Sequence, residues 1–189
     1  GGLYYSIAAI DTKAGGFKAT PNLDGLAYIS TIHGDERKAI EWLREQSHPG
    51  DLILEAIGDG YSEFGRISSS TGVPTLLGWP GHEHQWRGTT DIFDGRQEDV
   101  LLIYTTPDLE EARALLDKYG VTYVYVGHRE RSMYSPLVAE KFEAIGELAY
   151  PGDSFDNSEV AIYRVGLPSD RHKDEIPSVV DAPVSSETE

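Results

Sequence analysis

Residues 71–88, TGVPTLLGWPGHEHQWRG, put two tryptophans, two histidines, a glutamate, a glutamine and an arginine into one stretch punctuated by glycine and proline. Trp79 and Trp86 are two of only three tryptophans in the chain, and His82, Glu83, His84, Gln85 and Arg87 lie between or beside them. A segment that only filled a core has no use for so many polar groups. A segment that was only a solvated loop has no use for two indoles. The mixture suits a site that stacks a ring on aromatic faces and hydrogen-bonds its edge. Trp79 and Trp86 could meet the apolar face of a sugar while Glu83, Gln85 and Arg87 take its hydroxyls. The plainer alternative is that both indoles anchor an irregular loop, since large aromatics usually serve packing.

Other chemistries are weaker on these residues. His82 and His84 share a face only if the segment is extended, because helical neighbours are three or four apart. A metal site would then need further ligands from His128, Glu55 or Glu63. No HExxH pattern is present. Glu55 and Glu63 could form a carboxylate pair for hydrolysis, but acids are abundant and their separation is open. Ser68–Ser70 lack a nucleophile elbow. GDGYSEFGR matches neither the phosphate loop nor the dinucleotide fingerprint.

The elements around these residues alternate helix and strand. DERKAIEWLREQ, residues 35–46, carries an apolar stripe of Ala39, Ile40, Trp42 and Leu43, with Asp35 as N-cap and Pro49-Gly50 as a stop. Residues 51–57, DLILEAI, read as a buried strand, 58–71 as a loop, and 74–78 as a short second strand. Residues 94–104 are ambiguous between strand and helix. Residues 107–119 read as the firmest helix, from Pro107 to a C′ Gly120. VTYVYVG, 121–127, is the clearest strand. Residues 137–148 read as a helix interrupted late by Gly146, and 159–165 as a last strand. This pattern implies an α/β fold with a mostly parallel sheet flanked by helices in three layers, the last strand open to an antiparallel pairing.

In such sheets ligands collect outside the carboxyl ends of the strands. The first strand delivers Glu55, Tyr61, Glu63 and Arg66 there. The second delivers the Trp/His segment. The third delivers His128, Arg129, Glu130 and Arg131. Parallel neighbours would bring these groups to one rim, either as a site or as Glu–Arg pairs that tie loops together.

The 189 residues suit one domain, and 39% hydrophobic with 10% aromatic residues supply a core. Lys+Arg 16 against Asp+Glu 32 leaves a formal net charge of −16, which excludes the basic footprint that nucleic acid requires. It equally disfavours adhesion to an anionic membrane surface. There is no cysteine, so disulfides and thiolate metal sites are absent. The expected organisation is a leader or linker over 1–20, a soluble α/β domain over 21–167, and a disordered acidic tail over 168–189.

The runs GDLILEAIGDGYSEFGRISSSTGVPTLLGWPGHEHQWRG and YGVTYVYVGHRER resemble the C-terminal soluble region of the YYY membrane-protein family, multi-pass proteins of bacteria and archaea. The likeness spans residues 22–165. It marks Glu55, Tyr61, Arg66, Trp79, His82, Glu83, Gln85, Trp86, Arg87, Gly127, Glu130 and Arg131 as hallmark positions. It favours the helical reading of residues 96–104. It implies a transmembrane region before residue 1 as the domain's partner, and a placement on the extracytoplasmic face of the membrane. Such proteins resemble GT-C glycosyltransferases, whose catalytic acids usually sit in loops of the membrane region. The resemblance then implies glycan or lipid-linked sugar recognition here, no cofactor in this stretch, and any divalent metal in the membrane part. Two alternatives remain open on the residues: an internally paired structural module, and a metal-assisted hydrolase built on His82, His84 and Glu55.

Overall fold

A computed structural model describes residues 2–13, 23–89, 91, 93–137, 139–151 and 159–166. Helix α1 (Gly2–Lys13) is followed by α2 (Ala27–Ile32), α3 (Gly34–Gln46), β1 (Ile53–Leu54), α4 (Arg66–Thr71) and α5 (Pro80–Arg87). Then come α6 (Arg96–Thr105), α7 (Leu109–Tyr119), β2 (Tyr123–Val126), α8 (His128–Met133), α9 (Glu140–Ile145), β3 (Glu147–Tyr150) and β4 (Ala161–Arg164). Among the described residues no helix is long and apolar enough to cross a membrane. The expected acidic tail lies outside the described residues, as does most of the leader beyond α1.

The sheet order is β1-β2-β4-β3. Only β1 and β2 run parallel, with Ile53 opposite Tyr123. β4 is antiparallel to both β2 and β3. The expectation of a mostly parallel sheet is therefore corrected to a mixed one. The reason lies after residue 145. Residues 137–148 were expected to be one helix, but α9 ends at Ile145 and residues 147–150 form a strand. Gly146 permits the switch, because a Cβ there would sit 2.1 Å from the Arg164 carbonyl oxygen. β3 then lies beside β4 across a connection too short for a parallel crossover. The expected antiparallel last strand is observed.

The expected second strand at 74–78 contributes a single parallel bridge, Thr75 to Ile53. Its backbone still follows β1, through Ile53 N–H to the Pro74 carbonyl at 2.9 Å and Gly58 N–H to the Gly78 carbonyl at 3.2 Å. Both faces of β1, β2 and β4 are buried. Leu54, Val124, Val126 and Tyr163 pack with Val100, Ile103, Leu116 and Phe142 from α6, α7 and α9. Ile53, Tyr123, Tyr125 and Ile162 pack with Ala39, Ile40 and Leu43 from α3 and Ile67 from α4. This alternation is the period-two signature of strands covered by helices on each side. The buried Tyr104 hydroxyl on α6 reaches the carbonyls of Tyr125 at 2.8 Å and Leu54 at 3.2 Å, pinning the carboxyl ends of the parallel pair.

In α7, Asp108 caps the N-terminus by accepting from Glu110 and Glu111 N–H, and Gly120 closes it at φ 68°. Asp35 does not cap α3 as expected. It sits in the first turn, and its carboxylate accepts from Glu159 N–H at 3.1 Å.

Candidate functional site

Glu55 leaves β1 pointing inward and is buried. Its Oε2 accepts from Ile67 N–H at 3.0 Å and its Oε1 from Ser68 N–H at 2.9 Å. These amides open α4, whose N-cap is Gly65 with φ 70° and no side chain to cap it. Glu55 thus supplies from a neighbouring strand the acceptor that the cap position lacks. Glu130 does similar work one strand over. Its Oε1 accepts from Ala56 N–H and its Oε2 from Gly127 N–H, both at 2.8 Å. The tip of β1 is thereby fastened to the start of α8. Burial raises the Glu55 carboxyl to about 7, opposed by the two amides it accepts from. Burial raises Glu130 in the same direction.

Arg66, at the start of α4, bonds Glu36 Oε2 on α3 at 2.5 Å and approaches Glu63 Oε2 at 3.3 Å. Tyr125 on β2 donates its hydroxyl to the same Glu36 oxygen at 3.2 Å. Glu63 is also bonded by Arg129 of α8. Sequence reasoning missed Glu36, because a charged residue in an amphipathic helix reads as part of its solvated face. Nothing local announces that Arg66 draws it inward.

The Trp/His segment forms helix α5, where a less regular segment was expected. Pro80 at its first position and Gly88 at φ 71° after its last turn are the signals that mark it. Trp79 donates its indole N–H to the Phe64 carbonyl. His82 is boxed edge-on between Tyr61 (centroids 4.5 Å apart) and Trp79 (5.2 Å). Glu83 and Arg87 pair one turn apart at 2.7 Å. Trp86 stands 82% exposed.

Between α5 and α4 opens a groove of about 900 Å3, the size of a small-molecule site. Trp79, His82, Glu83, Trp86 and Arg87 form one wall. Arg66, Ser68, Ser69, Ser70 and Thr75 also line the groove, as do Leu26 and Tyr28. Of the expected site residues, Glu55 and Glu130 lie beneath this groove, in a small crevice shared with Arg66. Tyr61 leans on the wall through Trp79 and His82. Gln85 and His84 are exposed and outside the groove lining. Arg131 turns toward the Glu159 carbonyl at 3.4 Å, beside the start of β4. The carboxyl-end rim therefore brings together part of each expected cluster, in two layers, while His84, Gln85 and Arg131 lie outside it and His128 stacks on His33 with centroids 5.2 Å apart.

The hydrolase alternative needs His82, His84 and Glu55 to converge. Both Glu55 oxygens are engaged by backbone amides, and on α5 the two histidines are two positions apart. Among the described residues no group of three or more His, Asp or Glu is arranged to hold a metal ion.

No protein-family model matches the chain, and no curated protein matches it. Among solved structures, the C-terminal globular domain of an oligosaccharyltransferase from Archaeoglobus fulgidus is similar at 15% identity and a TM-score of 0.43, over 69% of this chain and 96% of that one.

Proposed function

We propose that this chain is the extracytoplasmic soluble domain of a GT-C-like multi-pass membrane glycosyltransferase, contributing recognition of a glycan or lipid-linked sugar rather than complete catalysis. The observation that carries the reading is the open groove whose wall is made by the aromatic and polar residues of α5. Exposed indoles beside hydrogen-bonding side chains are how proteins hold a saccharide's apolar face and hydroxyl edge together. The resemblance of TGVPTLLGWPGHEHQWRG and YGVTYVYVGHRER to the YYY family supports the membrane setting. Its partner would be the transmembrane region of the same protein.

Tryptophan fluorescence followed during titration with glycans and polyprenyl-phosphate sugars tests this. A saturable response, lost in Trp79→Ala and Trp86→Ala, is expected. A flat response, with both variants leaving the activity of the full-length membrane protein intact, would reject it.

A second reading has its own observation. Glu55, Glu130 and Arg66 are buried and bonded to neighbouring segments, so this part of the motif works as scaffold. A structural module would predict that the groove wall tolerates substitution as freely as any surface.

A further inference from the structure

The groove reading leaves open which group of a sugar ligand the polar lining meets, and the inference here rests on that reading. Among the described residues four buried side-chain atoms lack a hydrogen-bond partner, and three of them, Arg66 Nε, Thr75 Oγ1 and His82 Nε2, belong to residues of the groove lining. The fourth, Glu36 Oε1, belongs to the carboxylate that pairs with Arg66. Buried polar atoms without partners are uncommon, and three on one groove point to a ligand that completes them.

The three come from separate segments that meet at two glycines. A Cβ on Gly78 would stand 3.8 Å from the Gly65 Cα and 3.7 Å from Thr75 Cγ2. A Cβ on Gly65 would stand 3.8 Å from Trp79 Nε1. Gly65 leads into α4 at Arg66, and Trp79 leads into α5, which carries His82.

The chemistry of these atoms selects the ligand group. The Arg66 Nε–H can only donate. The Thr75 hydroxyl also donates, as does His82 in the tautomer protonated at Nε2. A sugar hydroxyl brought to them carries a proton that needs an acceptor of its own. A phosphate ester brings several acceptor oxygens on one atom, and hydrogen bonds to its charge are the stronger kind. Arg66 already holds Glu36 through Nη2 and Glu63 through Nη1, so Nε can meet an anion with both ion pairs intact. The lining sets Arg66 and Arg87 against Glu63 and Glu83, so it adds no net repulsion to that of a chain of formal net charge −16.

We propose that the groove binds the phosphate of a glycosyl phosphate, its oxygens accepting from Arg66 Nε, Thr75 Oγ1 and His82 Nε2 while the sugar ring lies against the α5 wall. The phosphate belongs either to a lipid-linked sugar or to a free sugar phosphate.

The 189-residue chain should be titrated calorimetrically with methyl glycosides of glucose, mannose and galactose, with the matching glycosyl phosphates and with farnesyl phosphate. At least one glycosyl phosphate should bind at least about tenfold tighter than the methyl glycoside of the same sugar. Thr75→Val keeps the side-chain shape and removes Oγ1. It should weaken that phosphate about tenfold and leave methyl glycosides, where they bind, within about twofold. It should also hold or raise the thermal midpoint of the ligand-free protein, because no hydrogen bond is lost. His82→Phe keeps a ring between Tyr61 and Trp79 and should weaken the phosphate likewise. Competition by farnesyl phosphate assigns the oxyanion to a lipid carrier, and competition by glycosyl phosphates alone assigns it to a free sugar phosphate; both uphold the site. Unchanged phosphate affinity in both variants, or a lowered midpoint in Thr75→Val, overturns the donor assignment. A methyl glycoside that binds as tightly as its phosphate overturns the inference and leaves the proposed function standing. No response to any sugar overturns both together.

Discussion

Glu36, Glu55, Arg66 and Glu130 are buried with exposures of 9% or less, whereas Trp86 in the groove wall and Tyr61 beside that wall are 82% and 86% exposed. All but Glu36 come from the same two sequence runs, yet their partners differ in kind. The lower groups bond backbone amides and each other. Of the upper ones, Tyr61 meets the rings of Trp79 and His82, and Trp86 stands mostly in solvent. A buried charge is tolerated when it is partnered, and these groups are, although Glu36 Oε1 and Arg66 Nε of the pair still lack a hydrogen bond. The upper layer has apolar area and hydrogen-bonding groups still unused. Residues that sit together at the end of a sheet therefore divide into a latch that sets the position of α4 and a wall that faces the groove.

The strongest way to break this division is Arg66→Met. It leaves the Glu36 carboxyl enclosed without its arginine, with the Tyr125 hydroxyl as its remaining donor in this network. Stability should fall by about 3–5 kcal/mol, the usual result of orphaning one member of a buried pair. Urea denaturation measures it. Adding Glu36→Leu should restore most of the loss, since an apolar pair needs no compensation. A double variant as unstable as the single one would mean that the pair does not act as a unit.

Next in size is the pH response of the latch. Burial holds Glu55 at about 7, above its ordinary 4.5. Between these values the folded state keeps a proton that the unfolded state has released. Stability is then fullest below pH 4.5 and declines as pH rises toward 7. The shift corresponds to about 3 kcal/mol across that window. Glu130 is raised by the same cause and adds in the same direction. Glu55→Gln cannot ionise and should flatten its share of the curve of unfolding free energy against pH. An unaltered slope in that variant would move the titration to another group.

Much of this arrangement could be read from the chain before its coordinates. α3, α6, α7, β2 and β4 follow from apolar periodicity, caps and β-branched runs, or for α6 from the family likeness. Glu55 and Glu130 come together through the parallel neighbours β1 and β2, and the Trp/His segment joins them through the single parallel bridge of Thr75 to Ile53. The failures have physical causes. Gly146 reads from the sequence as a late interruption of α9, but the strand that follows it depends on pairing with β4, where the Arg164 carbonyl comes too close for a side chain. Pro80 and Gly88 bracket α5 correctly, but its sequence is too polar to show an apolar stripe. α4 is short and serine-rich, so it reads as loop. Its first amides are satisfied by Glu55 from β1, not by a capping residue of its own. Burial of Glu36 and exposure of Trp86 both run against the usual tendencies of their residue types.

The wall should behave in the opposite way to the latch. Trp86→Ala removes a side chain that is mostly in water, so stability should change by about 0.5 kcal/mol or less. Thermal unfolding checks this. If saccharide affinity falls in the same variant, the wall is separated from the scaffold in one experiment. A loss of stability comparable to that of Arg66→Met would instead make Trp86 part of the fold's support.

The smallest effect belongs to the Glu83–Arg87 pair, and it sharpens the comparison most finely. Both side chains are substantially solvated, and Nε lies 2.7 Å from Oε2 at the i,i+4 spacing. Such a pair stabilises a helix by about 0.3–0.5 kcal/mol and weakens with salt. Its placement suits the helix dipole, with the acid in the first turn and the base in the last. Glu83→Ala should therefore cost about 0.5 kcal/mol at low ionic strength and less in high salt. Its effect on binding is more telling. With Glu83 gone, Arg87 becomes an unpaired cation on the groove wall, so glycosyl phosphates should bind several-fold tighter while neutral glycosides change little. An equal loss for both ligand classes would place Glu83 itself on the ligand. No change for either would move the sugar away from the last turn of α5, toward Trp79 and Thr75.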